Sequence, residues 1–476
     1  MGAIGETVIR RVRSFLKCGD HQWQDPGSRV EKNSTKLHLP GTFFLLVRDG
    51  GFRALIAWAG KMFSDGGRFR PRQALLSLKA EILWSHVDHE GVRKIASHLA
   101  EECKSTLGYY YLAQSSFVHG EFAEAIKWLN GLLGLKPDHA DGIYLLSACC
   151  LEMGEKERSW SLLEERALRF PRVKTWQLLA NHVDSVADFD RLLACHEKAV
   201  GLNIIPAFHK DISNHLSLAA LRCGDYGKAK SIWRDIILNV ISSPVKLAQR
   251  RPRPSPYSVG RAERALIDLK AALGAAGIEM FLVSGTLLGC IREGCLLGHD
   301  KDIDVGIWDD VSMERLNAAI RKSGAFFSIP SRSPYIVRVR HLNGIPLDLF
   351  YHYRETEDYW HGGVKLKWHN SPFGLSERRF LDETFLIPSN HEVYLEENYG
   401  DWKTPVTTFD SAFDTPNGEV IQPDELLIHT CRMLLSSHQK GAASKVEYYL
   451  GKLEGMGELQ LTREYREKTG GQARVS

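Results

Sequence analysis

Residues 281–308 combine a short apolar run, a small-residue turn and closely spaced carboxylates, and this stretch constrains the fold more than any other. Residues 281–283 have the pattern of a short buried strand, and residues 284–286 form a small-residue turn into a helix that begins near Leu287. Exposed amide groups and the positive end of a helix dipole favour phosphate binding. The turn is therefore predicted to bind a phosphate group.

Two carboxylates follow on the next predicted strand. Asp302 and Asp304 alternate with Ile303, Val305 and Ile307, so both carboxylates project from one face while the apolar side chains enter a core. Neighbouring carboxylates repel each other unless a cation lies between them. Since oxygen ligands favour hard divalent cations, the pattern predicts Mg²⁺ or Mn²⁺ as the cofactor.

Length and charge limit the classes of protein that need considering. A chain of 476 residues suggests about three domains at roughly 150 residues each. The net charge of +3, from 61 basic and 58 acidic residues, gives no global reason to expect specific nucleic-acid binding. Nine cysteines without a CxxC pair argue against a disulfide framework and a thiolate zinc site, and favour a reducing compartment.

The N-terminal part, residues 1–71, is predicted to be an amphipathic, basic helical segment. Residues 4–17 and 43–63 each combine apolar and basic residues, so they fit either an anionic membrane surface or packing on the following domain. Packing is the preferred interpretation. No stretch reaches the roughly 18 apolar residues of a membrane span, and a signal peptide is not evident. We expect a cytoplasmic protein, with peripheral contact to the inner face of the membrane as the alternative.

Residues 72–244 have a helical pattern with an internal repeat. Gly120 and Gly154 are 34 residues apart, as are Pro137 and Pro171, and a looser third copy contains Gly224. This period resembles that of tetratricopeptide repeats. Such an array provides either a groove for a protein partner or a support for the catalytic part, and the sequence leaves both open.

The remaining boundaries follow from composition. Residues 245–257 are basic and proline-rich, which indicates a linker. Residues 258–460 are predicted to form the catalytic domain, which opens with a helix and leads into the strand at residue 281. The charged residues 461–476 are expected to form a flexible tail.

The amino-acid sequences of two segments resemble motifs of the LicD/fukutin family. The first is SGTLLGCIREG followed by HDKDIDVGIW, and the second is LIPSNHEVYLEENYGDWKTP at residues 386–405. One departure is that Asp300 lies in a His-Asp-Lys sequence where the family often has Trp-Asp. The resemblance covers about residues 260–410 and implies an α+β, polymerase-beta-like nucleotidyltransferase fold. The predicted fold class is therefore multidomain, with an all-α repeat part before an α+β catalytic domain.

A third acid is expected on a neighbouring strand, and Asp348 is the candidate. An Asn-Gly pair predicts a hairpin, but its loop length decides which face Asp348 occupies. A two-residue turn would place Asp348 opposite Val339 on the apolar face. A three-residue loop at residues 342–344 would place it opposite Arg338, on the face that also carries Arg340. We predict the three-residue loop, because it gives one acid and two phosphate-binding cations.

The roles follow from phosphoryl-transfer chemistry, in which a protein mainly positions groups and neutralises charge. Asp302 and Asp304 are predicted to bind metal, and Asp348 is predicted to bind a second metal or take a proton from the acceptor. Asp300 is a further candidate ligand. The predicted phosphate-binding residues are Ser284, Gly285, Thr286, Arg292, Arg338 and Arg340.

The resemblance implies a phosphotransferase for glycan modification. It would move phosphocholine or a polyol phosphate from a CDP-linked donor to a hydroxyl of a glycan or glycolipid acceptor, in cell-surface polysaccharide, lipopolysaccharide or glycoconjugate. A nucleotidyltransferase that attaches a nucleotide to a small molecule, a protein or RNA is the alternative enzyme. A repeat scaffold with an inactive transferase fold is the alternative of another class, and the presence of three acids argues against it.

Overall fold

The computed structural model describes residues 71–242, 257–406 and 409–470. The amphipathic segment predicted for residues 1–71 lies outside the described residues except for its last position. The predicted linker at 245–257 also lies outside them except for Tyr257. Within the described ranges, no helix is both long and apolar enough to cross a membrane.

The described N-terminal part, residues 71–242, is helical, as predicted. Its ten helices form five consecutive hairpins: α1 (Pro71–Ser85), α2 (His89–Glu101), α3 (Thr106–Val118), α4 (Phe122–Leu135), α5 (Ala140–Glu152), α6 (Lys156–Ala167), α7 (Val173–His182), α8 (Val186–Gly201), α9 (Lys210–Arg222) and α10 (Tyr226–Ser242).

The backbone conformation explains why glycines recur in this region. Gly120, Gly154 and Gly224 lie at the turns of the second, third and fifth hairpins, with φ of 77°, 78° and 81°. That left-handed region is open to glycine at little steric cost. The repeat of glycines therefore reflects a repeat of turns, while the assignment to the tetratricopeptide class stays a prediction.

The C-terminal part is an α+β domain, which confirms the predicted fold class. Its elements are α11 (Val259–Gly274), β1 (Met280–Leu282), α12 (Ser284–Leu288) with a π-helical turn at Gly289–Glu293, β2 (Ile303–Trp308), α13 (Met313–Ser323), β3 (Phe326–Ile329), β4 (Ile336–His341), β5 (Pro346–Arg354), β6 (Tyr359–Gly362), β7 (Leu366–Asn370), β8 (Leu375–Phe380), β9 (Glu383–Pro388), α14 (His391–Tyr399), β10 (Gly418–Val420), α15 (Pro423–Gln439), α16 (Ala443–Gly455) and α17 (Leu459–Gly470).

The described strands form one mixed sheet. Its order is β10-β7-β6-β5-β2-β1-β9-β8, with β4 also paired to β5 and β3 paired to β4. The side chains of Ile303, Val305 and Ile307 on β2 are fully buried, as the period-two pattern predicts. The apolar face of α11 packs into the same core. Strand β2 is therefore fixed in the middle of the domain.

The last three helices pack on the helical repeat. One core contains Trp160 and Trp176 from the repeat together with Leu434 and Leu450 from α15 and α16. The tail predicted to be flexible after residue 460 is instead helical up to Gly470. Its Leu461 and Tyr465 are only 2% and 3% exposed, because positions four residues apart share one helix face and this face enters the common core.

Candidate active site

Two of the predicted acids lie side by side on adjacent parallel strands. β2 pairs with β5, and in that register Asp304 lies opposite Asp348. Asp302 directly precedes the first residue of β2, so it lies at the N-terminal end of this strand, two residues before Asp304. The sheet therefore brings together acids that are more than forty residues apart in the sequence.

The hairpin before Asp348 has the predicted three-residue loop. Arg338 lies opposite Asp348 in the β4–β5 pairing, and Arg338 Nε donates to Asp348 Oδ1 over 2.9 Å. Arg340 follows two positions later, opposite Pro346, with an exposed side chain. Gly344 has a φ of 97°, which an L side chain disfavours and which the Asn-Gly signal anticipated. The polar face thus contains Asp348, Arg338 and Arg340, as predicted.

The turn at residues 284–286 contacts the acids directly. The Thr286 hydroxyl accepts a hydrogen bond from the Asp304 backbone N–H over 2.9 Å. The Gly285 backbone N–H bonds to the Asp304 carboxylate and lowers its pKa, against the larger effect of burial. A Cβ added at Gly285 would lie 2.6 Å from Asp300 Oδ2. The turn therefore positions the carboxylates, a role that the sequence did not reveal.

Ser284 begins this turn with a strained backbone. Its φ is 48°, in the left-handed region that few residues other than glycine adopt. Ser284 is also the first residue of α12, so the helix begins before the predicted start near Leu287, and it is only 5 residues long before it continues into the π-helical turn. Phosphate binding by Ser284, Gly285 and Thr286 stays a prediction.

Burial makes all four carboxylates harder to ionise, and neighbouring carboxylates add to the effect at Asp300, Asp302 and Asp304. Burial, followed by the charge of Asp302, raises the pKa of Asp300 to about 6. Burial and then Asp348 raise the pKa of Asp302, while burial, Asp302 and Asp348 raise that of Asp304 well above its usual range. Burial also raises the pKa of Asp348, although Arg338 opposes the shift. A cation bound among these groups would relieve both the repulsion and the loss of hydration.

The donor set fits a hard divalent cation in its chemistry. Asp300, Asp302, Asp304 and Asp348 offer only carboxylate oxygens, which suit Mg²⁺ or Mn²⁺. Within the described ranges, no three His, Cys, Asp or Glu side chains already form a ready-made ligand shell.

Arg292 connects the π-helical turn to the closing segment of the domain. Its Nη1 donates to the Trp402 carbonyl over 3.0 Å, and its Nε donates to Glu293 over 2.8 Å. The Arg292 charge also lowers the pKa of Tyr399, against the larger effect of burial, so the guanidinium lies near that phenol. The predicted role in offsetting negative charge on the leaving nucleotide stays a prediction.

Three tyrosines that were not predicted as site residues lie close enough to the acids to interact with them electrostatically. Burial raises the pKa of Tyr257 to about 12, with added effects from Asp300 and Asp302. Burial likewise raises the pKa values of Tyr394 and Tyr399, with Asp304 contributing to both. The Tyr394 hydroxyl is buried without a hydrogen-bond partner among the described residues. Tyr394 and Tyr399 lie in the segment at residues 386–405 that resembles the LicD/fukutin family, and this was the signal that could have marked them.

Comparison with known proteins identifies the domain that contains these acids. Residues 277–390 match the family model described as LicD/FKTN/FKRP, nucleotidyltransferase domain. This range includes all four aspartates and both hairpin arginines, whereas Tyr399 lies beyond it. The match confirms the predicted family and supports the nucleotidyltransferase-like fold.

Curated relatives match a similar part of the chain. The ribitol-5-phosphate transferase FKTN of Homo sapiens and that of Macaca fascicularis are each 29% identical over 177 residues, which is 34% of this chain and 37% of the relative. The Mus musculus protein of the same description is 29% identical over 172 residues, 33% of this chain and 36% of the relative. The chain thus spans little more than a third of the length of these relatives.

Proposed function

We propose that this chain, whose residues 277–390 form a LicD/FKTN/FKRP domain, is a metal-dependent phosphotransferase. It would move a polyol phosphate from a CDP-linked donor to a glycan or glycolipid hydroxyl, in the modification of a surface polysaccharide or glycoconjugate. The relatives are described as ribitol-5-phosphate transferases, which favours a polyol phosphate over phosphocholine as the transferred group.

One observation supports this proposal above the others. Asp304 and Asp348 lie opposite each other on parallel strands, with Asp302 and Asp300 next to them, and every one of these carboxylates has a raised pKa. Such a cluster is costly in a core unless a cation binds there. Phosphoryl transfer is the chemistry that most needs clustered acids of this kind, because a metal neutralises charge on the phosphates.

The residues divide between substrate binding and proton transfer. The acceptor oxygen attacks the phosphorus that bears the polyol, the bond from that phosphorus to the CMP oxygen breaks, and CMP leaves. Asp348 takes the proton from the acceptor hydroxyl, since its raised pKa suits a general base and Arg338 orients its carboxylate. Arg338, Arg340 and Ser284 bind phosphate oxygens, and Arg292 offsets charge on the departing nucleotide.

Donor turnover tests the proposal. The protein is incubated with Mg²⁺, a glycan extract and, in separate reactions, CDP-ribitol, CDP-glycerol and CDP-choline, and CMP release is measured. We expect release with at least one polyol donor. Asp304→Asn should reduce it by about a thousandfold, because the substitution removes a charge that the phosphates and metal require.

The same strand supplies a matched control. Asp310 follows the other end of β2 and is an exposed carboxylate paired with Arg354, so Asp310→Asn should leave CMP release unchanged. Equal turnover in wild type and Asp304→Asn would refute the catalytic assignment. Pyrophosphate release from a nucleoside triphosphate, without CMP release, would show instead that the chain is a nucleotidyltransferase.

A further inference from the structure

A cavity of about 410 Å³ lies between the helical repeat and the catalytic sheet. The repeat contributes Arg222 from α9 and Tyr226 from α10, and the loop between β3 and β4 contributes residues 331–335. Glu425 of α15 closes a further side. This volume is within the range of sites for small molecules.

Positive charge is concentrated around this cavity. Arg222 and Arg332 line it, and Lys365 and Arg432 lie close enough to interact electrostatically with Arg332. Glu425, which is 8% exposed, forms an ion pair with Arg332. One of the four cations is therefore neutralised by a carboxylate in the cavity wall.

The other nearby carboxylates are already engaged. Asp184 in the cavity wall pairs with Lys156 over 2.8 Å. Asp410 raises the pKa of Lys365, against the larger effect of burial. Its carboxylate accepts a hydrogen bond from the Tyr449 hydroxyl over 2.8 Å and contacts His429 at 3.3 Å. Asp410 and Glu425 compensate part of the Lys365 charge, and Glu425 compensates part of the Arg432 charge, which leaves Arg222 without a carboxylate acting on it among the described residues.

Of the four cations, Arg222 is the one whose positive charge is least compensated by neighbouring side chains. Its one side-chain hydrogen bond to another described residue joins Nη2 to Asn181 Oδ1 over 3.4 Å, near the limit for such a bond. Burial and the neighbouring Arg332 charge lower the pKa of Arg222. Among the described residues, no carboxylate forms an ion pair with Arg222, Lys365 or Arg432. Arg222 is half-buried, so its guanidinium loses part of its hydration without gaining a carboxylate partner, and an anionic ligand would offset that loss.

We propose that this cavity binds the phosphate group of a small phosphorylated molecule, with Arg222 as its principal ligand and Arg332, which also pairs with Glu425, as a second donor. A phosphate has up to two negative charges and several acceptor oxygens, which matches the surplus of cations and the forked donors of two guanidinium groups. Ser331 and Gln422 add polar groups to the wall.

The cavity is separate from the acid cluster, so the proposal does not rest on the transferase activity. Tyr335 lines the cavity, and its carbonyl accepts from the Tyr351 N–H over 2.9 Å. Tyr351 is three residues beyond Asp348 on β5, which corresponds to about 10 Å along the strand.

Calorimetric titration of the full chain tests the proposal. Inorganic phosphate is titrated into metal-free protein, so that the carboxylates cannot recruit phosphate through a cation. We expect phosphate to bind wild type, and Arg222→Gln to weaken this binding by about tenfold or more, because it removes a charge-assisted contact.

Further variants separate binding from folding and from the acid cluster. Gln422→Glu adds a carboxylate to the wall without removing any arginine, and it should weaken phosphate binding as well. Arg158→Gln, at an exposed repeat arginine paired with Glu155, and Asp304→Asn should bind phosphate like wild type. Absence of phosphate binding at millimolar concentration, equal binding by wild type and both cavity variants, or loss of binding in Asp304→Asn would overturn the proposal.

Discussion

Arg338 Nε lies 2.9 Å from Asp348 Oδ1, and the two residues face each other across the β4–β5 pair. Burial raises the pKa of Asp348, and the Arg338 guanidinium opposes that shift. The pair therefore keeps a 9% exposed acid closer to its ionised form than burial alone would allow.

Removing the Arg338 charge should change the pH dependence of turnover. In Arg338→Gln the pKa of Asp348 is expected to rise further, so the acidic limb of the rate profile should move to higher pH by about one unit. The measurement is CMP release between pH 5 and 8. Arg354→Gln is the control, because Arg354 pairs with Asp309 and Asp310 at the other end of β5. An unshifted limb in Arg338→Gln would mean that Asp348 does not govern the rate.

Metal binding should be visible as thermal stabilisation. Burial and neighbouring charges raise the pKa of Asp304, so the ionised site is strained without a cation. We expect Mg²⁺ or Mn²⁺ to raise the melting temperature of wild type by several degrees when present at about a hundredfold excess over its dissociation constant.

The Asp304→Asn variant distinguishes this effect from general salt stabilisation. It should melt above metal-free wild type, because a buried charge is removed, and it should no longer respond to the metal. Asp310→Asn should respond like wild type. A metal response that persists in Asp304→Asn would place the cation elsewhere.

Gly285 should tolerate no side chain if the turn positions Asp300. A Cβ there would lie 2.6 Å from Asp300 Oδ2, so Gly285→Ala should displace that carboxylate and reduce CMP release by at least about tenfold. Gly298→Ala is the matched control, since a Cβ at Gly298 meets nothing within 4 Å. Equal rates in the two variants would show that the position of Asp300 is unimportant.

His89 should make the contact between the repeat and the catalytic domain sensitive to acid. Its Nε2 contacts the Gly324 carbonyl at 2.9 Å, and its ring lies 4.4 Å from that of His119. Burial, followed by the His119 charge, lowers the pKa of His89 to about 4. The unfolded chain therefore binds more protons than the folded one between about pH 6.5 and pH 4, and stability falls as the pH falls through that window.

Thermal melting at pH 7 and pH 5 checks this expectation. The His89 contribution should fall by about 2 kcal/mol between the two, so wild type should lose more stability than His89→Gln. His98→Gln, on the same helix α2, should behave like wild type. Equal losses in wild type and His89→Gln would contradict the burial of a neutral histidine at this contact.

Local sequence patterns predicted several elements of the structure correctly. The alternation around Asp302 and Asp304 predicted a strand with a buried apolar face, because successive side chains on a strand point to opposite sides. The spacing of Gly120 and Gly154 predicted the hairpin turns, because a φ near 77° is suited to glycine. With a three-residue loop, the Asn-Gly pair correctly predicted that Arg338 lies opposite Asp348.

The sequence by itself therefore determined the fold class, the family of the C-terminal domain and the residues expected to form its site, because strand alternation, turn chemistry and motif wording are local. Only the tertiary structure decided that Asp304 faces Asp348 across parallel strands and that Gly285 contacts Asp304 and Asp300. It also decided that α17 packs on the repeat and that Arg222 meets Arg332 at a cavity. These contacts join residues far apart in the chain, and they depend on how whole elements pack rather than on any local pattern.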